Sequence, residues 1–279
     1  MSYLEGERGK IRESLKNYFP EFQSAISFLF SYKSEKLTLD EITKKQKVAG
    51  YAFGFEGRDY HYFVLEALNK ISDLFFSDIK DKKTVVDTSP VLDRDLAYRA
   101  GLGWFGKNSM LISRNHGSYV MIGSILLGEK LELPIKEKES DHCGTCTRCI
   151  DACPTFAIDP ETRTVNSEKC IPYFTIELFK DSELPPKGYD QMDEFFGCDI
   201  CQEVCPWNRP LEHDLTKTTE LTDYQKKISD FFLNKTISEI QNELKSMSKR
   251  KYSREWKDSS FCRTGRDGVL KNLKWKKKN

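Results

Sequence analysis

No apolar run in this sequence approaches the roughly 20 residues that a membrane helix needs. The opening Met-Ser-Tyr-Leu-Glu-Gly-Glu-Arg has neither the apolar stretch of a secretory signal nor a twin-arginine pair, so the expectation is a cytoplasmic protein. The compositional mark of disorder is missing as well: 38% of residues are hydrophobic, 31% are charged, and the net charge is only +1. No internal repeat is visible apart from a doubled cysteine pattern. At 279 residues the chain can bury a substantial core, as two domains or as one with an inserted module. Cytoplasmic thiols stay reduced, so the nine cysteines do not read as a disulfide framework.

Eight of those cysteines stand in two runs, each closed by Cys-Pro. The first is Cys143, Cys146, Cys149 and Cys153, spaced CxxCxxCxxxC and followed by Pro154. The second is Cys198, Cys201 and Cys205 with Pro206, and Cys170 is the most economical fourth member. This is the ferredoxin spacing for cubane clusters, in which three thiolates hold one cluster and the fourth crosses to the other. The expected sets are therefore Cys143, Cys146, Cys149 and Cys205 for one [4Fe-4S] cluster, and Cys153, Cys170, Cys198 and Cys201 for the second. Zinc is the competing reading, but zinc modules show separated CxxC pairs rather than three cysteines at strict three-residue steps. Cys262 is left over as a free thiol.

The small net charge hides an asymmetry. Residues 249–279 carry 12 Lys+Arg against 3 Asp+Glu, and the preceding residues carry 32 against 40. A basic end on an acidic body points to an anionic partner, of which nucleic acid is the commonest. Arg263, Arg266, Lys271 and Lys274, interleaved with Phe261, Leu270 and Trp275, suit phosphate pairing with apolar anchoring.

Along the chain, Ala25 to Phe30 reads as a buried strand and Ser31 to Lys47 as a polar loop. Tyr60, Val64, Leu65, Leu68 and Ile71 form one stripe of an amphipathic helix, and His61 at its start reads first as a packed or capping residue. Thr84 to Val86 is a short strand, after which Ser89 is placed to cap a helix beginning at Pro90 and ending at Gly101. The glycine-rich Gly101 to Ser109 lets backbone amides approach a ligand closely. It is not a P-loop, because Asn108 rather than Ser or Thr follows Lys107. Met110 to Ser113 and Tyr119 to Leu127 read as strands with a turn at Asn115-His116-Gly117. Ile228 to Leu244 reads as one amphipathic helix, with Phe231, Phe232, Ile237, Ile240 and Leu244 inward.

Several strings together carry a family resemblance. Gly57-Arg58-Asp59-Tyr60-His61 and Val86-Asp87-Thr88-Ser89-Pro90-Val91-Leu92-Asp93-Arg94 are followed by Ala100 to Asn108, by Tyr173-Phe174-Thr175-Ile176-Glu177 after Cys170, and by Gly197-Cys198-Asp199-Ile200-Cys201-Gln202 leading to Cys205-Pro206-Trp207-Asn208. In this order, from about Arg12 to Asn272, the sequence resembles the epoxyqueuosine reductase family. The resemblance implies a cytoplasmic, monomeric enzyme with two [4Fe-4S] clusters and cobalamin. Such an enzyme removes the epoxide oxygen of epoxyqueuosine at the wobble position of tRNA with a GUN anticodon, using electrons from a flavodoxin- or ferredoxin-type donor. It implies that Asp87 is the acid that protonates the departing oxygen, and that Arg12, Asp87, Lys107, Asn108, Ser109 and Leu111 lie at the corrin site. To act near pH 7 the Asp87 carboxyl would have to be held neutral, which burial beside an apolar corrin face could achieve.

The expected fold class is α+β. A mixed α/β cobalamin- and substrate-binding domain (1–130) would precede a ferredoxin-like two-cluster domain (131–212) and a helical C-terminal segment (213–279) with a basic tRNA-contacting tail. Many family members continue into helical repeats that grip tRNA, so this tail would have to supply much of the grip here. The nearest competing function is a corrinoid reductive dehalogenase, which shares the cofactor plan but typically carries an export signal. A two-cluster electron carrier would need neither Asp87 nor the glycine-rich motif. A tRNA-binding protein with merely structural clusters is the third alternative.

Overall fold

A computed structural model of the chain describes residues 6–43, 45–132, 136–178, 184–209 and 220–276. Its strands are β1 (Ser24–Ser31), β2 (Lys47–Val48), β3 (Lys82–Val86), β4 (Trp104–Phe105), β5 (Leu111–Ile112), β6 (Val120–Leu127) and β7 (Glu194–Phe196). The apolar run at Ala25 to Phe30 is β1, as expected. It pairs antiparallel with β6, Ser24 opposite Leu127 and Ser31 opposite Val120. On its other edge β6 pairs antiparallel with β3, Val86 opposite Gly123. Central placement explains why Ile125, Leu126 and Leu127 are all fully buried.

The predicted amphipathic helix spans Tyr60–Phe75 and lays Val64 and Leu68 on this sheet. It packs closely because Gly123 leaves room: a Cβ there would collide with both side chains. Asp59 caps the helix, its carboxylate accepting the His61 N–H at 2.9 Å. At the end of β3 the chain closes a turn, Ser89 N–H to Val86 C=O at 2.8 Å. Asp87 is lifted out of the sheet at that turn.

Four local expectations change. Ser31 to Lys47, read as a loop, contains the helix Lys33–Ile42, whose buried face is made of Lys33, Lys36 and Leu39. Its polar composition misleads because the Lys36 ammonium is neutralised inside, by Asp40 at 2.5 Å and Glu203 at 2.8 Å. The helix after β3 begins at Asp93, not Pro90, and Ser89 does not cap it. Met110 to Ser113 and Tyr119 to Leu127 do not form a hairpin with each other: β5 pairs with β4, and β6 joins the sheet. The segment Ile228 to Leu244 is broken, because Thr236 starts a new helix, Ile237–Ser246, with a full capping box to Glu239.

A second core joins distant parts of the chain. Leu39, Val48 and Phe53 pack with Phe195 and Phe196 and with Phe232, Ile240, Trp256, Phe261 and Leu273 of the C-terminal helices. Parallel pairing of β2 with β7 lies in the same region. The basic tail therefore belongs to the core. Helix Phe261–Lys274 buries Val269, Asn272 and Leu273, and Lys271 donates to the carbonyls of Phe174 and Leu178. Lys276 donates to those of Tyr189 at 2.6 Å and Met192 at 3.0 Å. Arg263 is paired with Glu177, and Arg266 with Asp267 and the Met247 carbonyl. Three of the four cations expected to hold phosphates (Arg263, Arg266 and Lys271) are thus engaged within the protein. Among the described residues no helix is long and apolar enough to cross a membrane.

Candidate active site

The two cysteine sets fall around two separate cavities. Cys143, Cys146, Cys149 and Cys205 line a cavity of about 240 Å³ together with His142, Pro206 and Trp207. Cys153, Cys170, Cys198 and Cys201 line one wall of a larger cavity of about 900 Å³. The fourth member of each quartet thus comes from the other run. Electrostatics follow the same grouping. Burial and then the charges of Cys205 and Cys143 push the Cys149 thiol up to about 11, and burial with Cys153 does the same to Cys170. Burial and neighbouring negative groups also raise Cys198, Cys201 and Cys205. Crowded thiols of this kind ionise when a cationic centre compensates them. Among the described residues no three His, Cys, Asp or Glu side chains converge tightly enough to hold a single metal ion. Each quartet has the four-thiolate donor set of a cubane cluster.

The same 900 Å³ cavity is also lined by Asp87, with Tyr60, His61, Arg94 and Arg263. A second cavity of about 960 Å³ continues past Asp87 and is lined by Arg8, Arg12, Asp93 and Leu111. Asp87 is 48% exposed, toward these spaces, whereas His61 behind it is 16% exposed. The His61 imidazole lies between two carboxylates: Nδ1 is 2.5 Å from Asp59 Oδ1, and Nε2 is 2.8 Å from Asp87 Oδ1. The Tyr60 hydroxyl donates to the other oxygen of Asp87, and its ring stacks on His61 with centroids 4.1 Å apart.

These contacts set the charges. Burial opposes protonation of His61, but the bonds and charges of Asp59 and Asp87 prevail and raise it to about 9. For Asp87, burial pushes the carboxyl up, yet His61, Tyr60 and Arg263 outweigh it and hold it below the ordinary range. These neighbours favour the anionic form of Asp87, the opposite direction from the neutral acid expected beside a corrin face. Asp93 behaves oppositely, because burial and the nearby charge of Asp87 push it up to about 7.

The other expected residues divide. Arg12 and Leu111 line the second cavity. Asn108 and Ser109 line the first, Ser109 at φ 61 with its hydroxyl on the Arg163 carbonyl at 2.6 Å. Lys107 points elsewhere: its ammonium donates to the carbonyls of Gly144 at 2.7 Å and Cys146 at 2.9 Å, and it lines the small cysteine cavity. It braces the first cluster loop rather than the corrin space. The roles of Tyr60, Asp59, Asp93 and Arg263 were not legible, although Gly57-Arg58-Asp59-Tyr60-His61 held three of the residues around Asp87.

The large cavity suits a broad, mostly apolar ring with a polar rim. Phe105, Met110, Met121, Ile158 and Ile176 give it apolar walls. The buried Asn108 Nδ2 and Ser260 Oγ on these walls, and Asp93 Oδ1 in the adjoining cavity, have no hydrogen-bond partner in the protein. Buried polar atoms left in this way await ligand groups. The residues present therefore fit a corrin with its rim of amide side chains.

Comparison with known proteins agrees with this geometry. The family model described as "Epoxyqueuosine reductase QueG, DUF1730" matches residues 12–88, and "4Fe-4S double cluster binding domain" matches residues 142–208. An epoxyqueuosine reductase of Cyclobacterium marinum is 33% identical over 258 residues, covering 90% of this chain and 75% of the relative. That of Leadbetterella byssophila is 38% identical over 256 residues, covering 90% and 76%. The crystal structure of an epoxyqueuosine reductase with an epoxyqueuosine-modified tRNA-Tyr stem loop superposes with a TM-score of 0.77 at 25% identity, over 99% of this chain and 69% of that one. The enzyme of Streptococcus thermophilus shares the fold at the same TM-score, with 22% identity over 98% and 69%. A mixed α/β fold, a double cluster module and these relatives lead to one conclusion: the chain belongs to the epoxyqueuosine reductase family, whose members are oxidoreductases.

Proposed function

We propose that this chain reduces the epoxide of epoxyqueuosine at the wobble position of tRNA with a GUN anticodon, using two [4Fe-4S] clusters and a cobalamin. One observation carries the reading: a single cavity is lined both by the second cysteine quartet and by the Asp87–His61 pair. Cys143, Cys146, Cys149 and Cys205 would hold the outer cluster, and Cys153, Cys170, Cys198 and Cys201 the inner one. Arg12, Asn108, Ser109 and Leu111 would border the corrin, with Lys107 withdrawn to the outer cluster. When bound, cobalamin supplies the carbon–oxygen bond reduction, a chemistry no side chain provides.

The protein's part is the proton. Epoxide plus two electrons and two protons gives alkene and water. Asp87 reaches the cavity and His61 stands behind it, so the pair stores one proton at neutral pH and Asp87 presents it to the departing oxygen. Tyr60 fixes the second carboxylate oxygen, leaving Oδ1 as the side that exchanges with His61. Asp93, with its raised carboxyl, is placed to hold a further proton in the adjoining cavity.

In this reading residues 1–130 bind cofactor and substrate and 131–212 carry electrons, as expected from sequence, while 213–279, expected to end in a tRNA-contacting tail, complete the shared core. A cytoplasmic monomer taking electrons from a flavodoxin- or ferredoxin-type protein is the accompanying proposal. A reductive dehalogenase, the alternative from sequence, is not favoured by the named relatives. Anaerobic reconstitution with iron, sulfide and cobalamin, followed by mass spectrometry of nucleosides from epoxyqueuosine-containing tRNA, tests it. Queuosine is the expected product, and its absence from a fully loaded enzyme would overturn the assignment.

A further inference from the structure

The last helix uses most of its cations internally, but the helix before it does not. In Lys249–Glu255, Tyr252 is buried, and Trp256 immediately after it is fully buried in the core. The opposite face carries Arg250, Lys251 and Arg254, all exposed, with exposed Lys245 before it and Lys257 after it. Arg250 and Arg254 are four residues apart and share one face. Neither they nor Lys245 has a carboxylate partner among the described residues. Lys251 and Lys257 reach Glu255 and Asp258 only at 3.8 Å, while Lys249 is paired with Asp267 at 2.6 Å. Arg250 and Arg254 are thus unpaired among the described residues, and Lys257 is only loosely paired and exposed, on an otherwise acidic body.

The row ends at the active site. Directly after Lys257, the Asp258 carbonyl accepts the N–H of Asp59, the cap of the helix that carries Tyr60 and His61, at 2.7 Å. Ser260 and Arg263, the next residues along, line the cavity itself. We infer that Arg250, Arg254 and Lys257 form a phosphate-binding ridge that holds the RNA backbone beside the base presented to Asp87. The inference rests on the substrate reading above and moves the RNA grip from the last helix to its neighbour. Exposed cations pair with phosphates without reading sequence, so the ridge positions the stem loop and leaves base recognition to the cavity that Ser260 and Arg263 line.

The test compares the full chain with the triple variant Arg250→Gln, Arg254→Gln, Lys257→Gln, substitutions that keep helix propensity and touch no buried group. Binding of a fluorescent anticodon stem loop is measured by anisotropy over a salt series. Lys80→Gln serves as control, since it lies beyond the far end of a 16-residue helix, about 24 Å from Asp59. The ridge predicts that the triple variant binds at least tenfold more weakly at low salt. The slope of log affinity against log salt should also fall by about 0.7 to 0.9 per lost phosphate contact, while iron content and the control stay unchanged. An unchanged affinity and slope in the triple variant overturns the ridge and leaves the substrate reading intact. Failure of the parent chain to bind the stem loop overturns both.

Discussion

The His61 Nε2 lies 2.8 Å from Asp87 Oδ1, an ion-pair contact that joins the acid assigned from sequence to a histidine read at first as a packed or capping residue. In the proposed reaction this pairing would let the imidazole return a proton to Asp87 after each turnover.

Asp87→Asn should retain both clusters and the fold yet lose turnover by about a hundredfold or more, the usual cost of removing a positioned acid. Iron content, melting temperature and queuosine formation are the measurements. Turnover near that of the parent would remove Asp87 from its role.

The pair also sets a pH limb. Because His61 is raised to about 9, its proton is present through neutrality, and activity should decline as pH rises through about 9. The stability sign follows: a group raised above its ordinary value near 6.5 stabilises fully below that value and loses the contribution as pH passes about 9. His61→Gln should flatten both the rate profile and the loss of melting temperature across this window. An alkaline limb unchanged in the variant would assign it to another group.

Crossed ligation makes a prediction that runs against sequence proximity. Cys205→Ala should damage the cluster held by the first run, and Cys153→Ala the cluster held with Cys170, Cys198 and Cys201. Mössbauer or EPR spectra of the two variants distinguish the clusters. Loss of the cluster local to each mutated run is the opposite outcome.

Lys271→Ala leaves the carbonyls of Phe174 and Leu178 without their buried donor. At about 1–3 kcal/mol for each of the two unsatisfied carbonyls, the expected destabilisation is about 2–6 kcal/mol. Denaturant melts of the clustered protein would check it. Deleting residues 268–279 should cost cluster content as well as RNA binding, because Val269, Asn272 and Leu273 are buried.

Where a side chain's fate depends on its own segment, the sequence was readable. The Cys spacings, β1, β3 and the Tyr60–Phe75 helix all carry their information locally, in periodicity or in ligand steps. Lys36, Lys271 and Lys276 were opaque because their partners lie far away in the chain: Glu203, Phe174 and Tyr189 accept from them across long loops. The protonation of Asp87 was opaque for the same reason. Burial alone predicts a neutral acid, and only the arrival of His61, Tyr60 and Arg263 around it reverses the sign.

Lys276 reaches the carbonyls of Tyr189 and Met192, and Asn272 that of Thr175, so the wall behind Cys198 and Cys170 is finished by residues more than seventy positions later in the chain. A nascent chain stalled before Asn272 would therefore leave Cys170 and Cys198 without that wall and open to oxidants.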